Sequence, residues 1–120
     1  MTEYQEKLKG RMDEYVHLVY RVTRGFPKEE TYASTGQWRR ATLSIILNYI
    51  EGYARRKPLV QLNFLETAYG SFKESRYLLD FSYKEQFLSH DNYQNATAIA
   101  EEIGAMLWTE LNTLTKSLAK

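Results

Sequence analysis

The sequence predicts an all-α protein, an antiparallel up-down-up-down four-helix bundle forming a single domain over residues 1–120. Three observations carry this prediction. Apolar residues recur at spacings of three and four along four successive segments, the period of one helix face. No segment alternates apolar and polar residues as a half-buried strand does. At 120 residues, the chain is long enough to bury one core and too short for a catalytic domain with a separate regulatory one.

The first segment, Thr2 to Arg24, places Leu8, Met12, Tyr15, Val19, Val22 and Phe26 on one helical face and charge on the other. Gly25 and Pro27 end it, because a residue before proline leaves the α region and glycine accepts a left-handed cap. The second helix is expected to begin near Glu29 or Thr31 and to stop before Pro58, carrying Arg55, Arg56 and Lys57 at its end. A third runs from Leu59 to Tyr83 with Leu62, Leu65, Tyr69, Phe72 and Leu79 in its stripe, interrupted by Arg76. Ser89 to Asn92, including His90, reads as a polar connection suited to helix capping. The fourth repeats Ala96, Ala100, Ile103, Leu107, Leu111, Leu114 and Leu118.

The second helix is unlike the others. Trp38, Ala41, Leu43, Ile45, Ile46, Leu47, Tyr49, Ile50 and Tyr53 spread over most of its circumference, whereas an ordinary surface helix shows a stripe of roughly 100°. One core cannot cover them all, so this helix is expected to pack on its own bundle and on another subunit. Trp38, Ile46, Asn48, Tyr49, Ile50, Glu51 and Tyr53 are the candidate subunit contacts. Gln37, Arg40, Ser44, Asn48, Glu51 and Arg55 fill the remaining narrow strip, read either as a solvent-facing strip or as a seam fixing subunit register. Gly52, unfavourable inside a helix, points to a close backbone neighbour.

Residues 1–60 carry 11 Lys/Arg against 7 Asp/Glu, and residues 61–120 carry 5 against 8. This asymmetry permits a basic surface on a chain of net charge +1, suited to nucleic acid or to an acidic partner. Its candidate residues are Arg21, Arg24 and Lys28, then Arg39 and Arg40, then Arg55, Arg56 and Lys57. Arg39 lies within the apolar arc, where an unpaired charge is costly, so an interface ion pair or a ligand contact is expected there. For Arg55 to Lys57 the helix dipole offers a second explanation, since cations are favoured at a helix C-terminus.

The chain has no cysteine, which removes disulfides, thiolate metal sites and cysteine nucleophiles and suits a reducing compartment. Its longest apolar-rich stretch, Leu43 to Ile50, is well short of the roughly 20 residues a membrane span needs. A cytoplasmic protein with no membrane partner is expected. Glu14 and His17 form one Glu-x-x-His step, but a carboxylate-bridged metal site in a bundle needs two such steps and further acids. Arg11 with His17 matches a loose ribonuclease-like spacing. No phosphate loop, nucleophile elbow or dinucleotide turn is present, so no enzyme, cofactor or metal is expected.

Several segments resemble one known family: Phe26-Pro27-Lys28-Glu29-Glu30, Gln37-Trp38-Arg39-Arg40-Ala41, Ser44-Ile45 with Asn48 and Glu51-Gly52, and Ala68-Tyr69-Gly70-Ser71 with Glu74. In this order they are similar to the four-helix-bundle proteins of 23S ribosomal RNA intervening sequences and the related Avd proteins, accessory variability determinants of diversity-generating retroelements. Asn48 to Arg55 and Tyr77 to Tyr83 look closer to the Avd branch. Ile46 stands where the family usually has proline, so the kink expected there is weaker. The resemblance implies a ring-like homo-oligomer, a pentamer in known relatives, that binds RNA, with DNA as a second ligand. In the Avd branch it also implies binding to the retroelement reverse transcriptase in support of cDNA synthesis. The alternative is an oligomeric protein-interaction scaffold with no nucleic-acid role.

Overall fold

A computed structural model describes residues 1–119. Four helices, α1 (Glu3–Thr23), α2 (Ser34–Tyr53), α3 (Pro58–Lys84) and α4 (His90–Leu118), account for nearly all of them, with one 3-10 turn at Lys28–Glu30. Each helix packs on the next and α4 closes onto α1, while neither diagonal pair meets along the backbone. The result is the expected up-down-up-down bundle, with principal extents of 49 × 25 × 20 Å. In it α2 and α4 run in the same direction.

Local chemistry sets the helix ends. Thr2 and Gln5 form a reciprocal capping box on α1. Ser89 caps α4 by accepting from the Asn92 amide, so His90 is the first residue of that helix and not part of a loop. Pro58 opens α3 at its first position, where its missing N–H is harmless. It holds Lys57 in extended geometry, φ −82° and ψ 123°. Consequently α2 ends at Tyr53, and Arg55, Arg56 and Lys57 lie in the turn that follows. The start of α2 is also later than its sequence suggests: Pro27 is followed by the 3-10 turn, and Ala33, at φ −118° and ψ −116°, breaks the chain before Ser34.

Gln86, at φ 64°, terminates α3. The Phe87 amide reaches Ser82 O at 3.0 Å and the Gln86 amide reaches Tyr83 O at 3.0 Å, the pair of bonds of a Schellman cap. Phe87 packs back on Phe81 with ring centroids 6.5 Å apart.

The core is organised around Trp38, which is fully buried. Its Nε1 donates to Ser75 Oγ at 3.2 Å. Thr42 Oγ1 donates to the Trp38 carbonyl at 2.8 Å and lies 2.7 Å from Ser75 Oγ. The Tyr15 hydroxyl is 3.3 Å from the same serine. One serine on α3 thus joins α1 and α2 inside an apolar shell of Leu8, Met12, Val19, Ile45, Leu65 and Leu79. Ser75 takes the stripe position that the sequence suggested for Arg76. The arginine sits one residue on, at the bundle edge, bonded to Asp80 at 2.6 Å and Glu101 at 3.1 Å. Burial alone would raise the Asp80 carboxyl, but hydrogen bonds from Tyr93 and Arg76 outweigh it and hold the carboxyl below its usual range.

Glycine is used twice where helices come close. A Cβ on Gly52 would lie 3.0 Å from Phe64 Cβ and 3.4 Å from the Gln61 carbonyl, so the close neighbour expected there is the first stretch of α3. A Cβ on Gly104 would lie 2.6 Å from Phe72 Cζ.

A second polar link crosses the bundle. The Tyr49 hydroxyl donates to Glu110 Oε1 at 2.6 Å, tying α2 to α4, while the buried Glu110 Oε2 has no partner among the described residues. Burial raises the Glu110 carboxyl above its usual value, the Tyr49 bond only partly countering it.

Ser75→Ala strands the Trp38 indole and is expected to destabilise the fold by about 1–3 kcal/mol, read as a lower urea midpoint at unchanged slope. Gln86→Gly is expected to raise that midpoint, relieving a left-handed residue worth about 1 kcal/mol. Because the folded Glu110 pKa lies above the unfolded one, its stabilising contribution is full below about pH 4.5 and is lost as pH rises through the folded value. Glu110→Gln should therefore stabilise the protein at neutral pH relative to wild type. The difference in unfolding midpoint between the two should shrink as the buffer is taken down to about pH 4.5.

Candidate nucleic-acid interface

Eight basic residues were expected to form one surface, and the fold divides them. Arg24, Lys28, Arg39 and Arg40 gather where α1 ends and α2 begins. Arg55, Arg56 and Lys57 occupy the α2–α3 turn at the opposite end of the bundle. At about 1.5 Å per residue, the length of α2 separates the two groups by roughly 24 Å. Arg21 joins neither: it faces α4, in a cleft shared with Glu14, Leu18 and Asn95.

At the first end, Arg39 is neither in an ion pair nor free. Its Nε donates to Thr23 Oγ1 at 2.7 Å, and its guanidinium lies 4.9 Å from the centre of the Tyr20 ring. Within its own chain the hydroxyl and the ring face together offset the burial of its charge. Arg40 is exposed and donates to Gln37 at 3.3 Å. Among the described residues, no carboxylate lies within ion-pair distance of Arg24, Lys28, Arg39 or Arg40. The start of α2 adds to this positive character, because it has no side-chain cap and no acid in its first turn.

At the second end, Arg55 is engaged, bonded to Glu51 and lying 5.2 Å from the Phe64 ring centre. Arg56 and Lys57 are exposed, with no carboxylate within ion-pair distance among the described residues. Both precede the N-terminus of α3, whose first turn carries no acid. Cations there are favoured by the C-terminus of α2, which they follow, and opposed by the N-terminus of α3, so the two dipoles offset each other.

The expected subunit contacts also separate. Trp38 and Tyr49 have no exposed surface and belong to the chain's own core, so neither can touch a second subunit. Ile46 is nearly buried and Tyr53 partly so, its ring edge-on to Tyr49 at 5.2 Å. Part of the polar strip faces α3 of the same chain, where Ser44 Oγ lies 2.8 Å from Ser71 Oγ, Asn48 donates to Ser44 and Gln37 donates to Glu74, while Arg40, Glu51 and Arg55 are exposed. Glu51 is exposed beside Arg55, and Ile50 joins Leu43 and Leu47 in an exposed apolar ridge along the outer side of α2.

Glu14 and His17 hold different partners, Arg11 at 3.3 Å and Asp13 at 3.3 Å. No group of three metal-ligating side chains, and no helix long and apolar enough to cross a membrane, occurs among the described residues. The feature that sequence reasoning missed is an open groove of about 530 Å³ between α3 and α4, walled by Tyr69, Arg76, Glu101 and Trp108. Its only sequence signal is Trp108, which falls outside the α4 stripe.

The fold is thus a four-helix bundle with cations that lack a carboxylate partner among the described residues at both ends and an apolar ridge along α2. The sequence matches the 23S rRNA-intervening sequence protein family over residues 7–109, and the chain belongs to that family. In structure it is similar to a protein of unknown function from the S23 ribosomal protein family of Bacteroides thetaiotaomicron VPI-5482. The TM-score is 0.81 at 17% identity, over 91% of this chain and 98% of that one, a likeness of fold. No relative was found among curated proteins.

Proposed function

We propose that this protein is a non-enzymatic, oligomeric RNA-binding subunit of the Avd type, assisting the reverse transcriptase of a diversity-generating retroelement in the cytoplasm. The observation that carries the reading is the exposed cations without an ion-pair partner among the described residues at the bundle ends, Arg24, Lys28 and Arg40 at one and Arg56 and Lys57 at the other, together with the Avd-like runs Asn48 to Arg55 and Tyr77 to Tyr83. Phosphates would be held by charge and not by base-edge contacts, so binding would tolerate sequence and respond to salt. A cyclic homo-oligomer, a pentamer as in relatives the sequence resembles, would multiply each modest cluster into a rim of cations. The template RNA would then be presented to the polymerase from that rim.

The exposed ridge Leu43, Leu47 and Ile50 favours a second reading, an oligomeric protein-interaction scaffold that never meets nucleic acid. Anisotropy titrations of a labelled structured RNA against wild type, Arg55→Ala/Arg56→Ala/Lys57→Ala and Arg24→Ala/Lys28→Ala separate the two. The RNA reading expects affinity to fall steeply with salt. At least one variant should bind more weakly, its log–log salt slope shallower by about 0.7 for each phosphate that the protein no longer neutralises. Equal affinity and slope in all three proteins, or no binding at low salt, would leave the scaffold reading.

A further inference from the structure

We infer that copies of this chain pack head to tail, the outer ridge of α2 on one copy seated in the α3–α4 groove of the next. The inference rests on the self-assembly proposed above and names the contact that builds it. The ridge is real surface: Leu43, Leu47 and Ile50 are 36%, 54% and 43% exposed. Such a contiguous stripe on a helix that already fills one core calls for a cover. The groove is its counterpart in shape, with a wall of Trp108 tilted against Tyr69, centroids 5.3 Å apart, and a shallow floor at Gly104 and Ala105.

Register picks a second copy as the occupant. The Tyr49–Glu110 hydrogen bond sets these two residues at one level of the bundle. Since α2 and α4 run in parallel with the same rise per residue, counting back along both brings Leu47 level with Trp108, Leu43 with Gly104 and Arg40 with Glu101. Rotation about an axis parallel to the bundle leaves every height unchanged. A neighbour generated that way presents Leu47 to the indole, Leu43 to the glycine and Arg40 to Glu101. The charges match as well. Among the described residues Arg40 has no carboxylate partner, and the Glu101 side chain is 66% exposed and held only by Arg76. Ridge and groove are different patches, so the contact is heterologous and closes into a ring where the rotation permits.

The test uses the absence of native cysteine. Leu43→Cys/Ala105→Cys, oxidised at native concentration, is expected to give a covalent ladder beyond dimer on a non-reducing gel, and neither single variant should. Arg40→Glu should weaken association about tenfold in sedimentation velocity, and adding Glu101→Arg in the same chain should restore it. Dimers cross-linked by Leu43→Cys alone would mean that α2 packs on α2, and would overturn the inference. So would an oligomeric wild type whose double-cysteine variant forms no ladder and whose assembly ignores Arg40→Glu, since the ridge would then serve another partner. A monomeric wild type would overturn both this contact and the assembly part of the proposed function, while the RNA titrations judge the basic ends separately.

Discussion

The hydroxyl of Ser75 is the point on which the bundle depends. It accepts from the Trp38 indole and lies within hydrogen-bonding reach of Thr42 and Tyr15, so three helices meet at one buried polar atom. An apolar core of leucines and isoleucines tolerates sliding and rotation of its helices. A buried indole N–H does not, because leaving it unpaired in a low-dielectric interior is expensive. Fixing Trp38 fixes the rotation of α2, and that decides which α2 residues reach the core, which face α3 and which are left outside. The exposed ridge follows from the same constraint. With Trp38, Ile45 and Tyr49 turned inward, Leu43, Leu47 and Ile50 have no surface of their own chain to cover them.

The charges obey a similar division. Ion pairs lie along the flanks: Arg11 with Glu102 between α1 and α4, and Arg76 with Asp80 on α3 and with Glu101 across to α4. Arg24, Lys28 and Arg40 at one end and Arg56 and Lys57 at the other have no carboxylate within ion-pair distance among the described residues, although Glu29 and Glu30 share the first end. Arg39 shows how a cation can be accommodated without an acid. A hydroxyl and a tyrosine ring serve it, and it remains available in charge although half-buried in position.

Much of this was legible from residue spacing. The period of three and four located all four helices, and Pro58 and Ser89 marked two of their boundaries because proline and a capping serine act through their immediate neighbours. The excess of apolar residues on α2 correctly announced that one core would not cover them. It did not say which would be left over, and Trp38 and Tyr49, the largest side chains, were assigned outward when they are the most buried. The polar strip, read from sequence either as solvent-facing or as a subunit seam, meets α3 through Gln37 and Ser44 and is exposed at Arg40, Glu51 and Arg55, since a narrow polar strip looks the same from sequence whatever it meets. Ser75 was missed because a serine inside an apolar stripe is indistinguishable from an interruption until its partner is known, and that partner lies 37 residues away.

The sequence by itself determined the number and order of the helices, the basic character of the first half and the absence of thiol chemistry, since periodicity, charge and composition are properties of the chain alone. Only the tertiary structure decided which side of α2 is core, that seven of the eight cations divide between two ends while Arg21 faces α4, and that Arg40 stands level with Glu101 and Leu47 with Trp108. Those facts depend on the rotation and relative height of helices. Rotation and height are set by pairings such as Trp38 with Ser75 and Tyr49 with Glu110, which join residues far apart in the chain and leave no local signature in it.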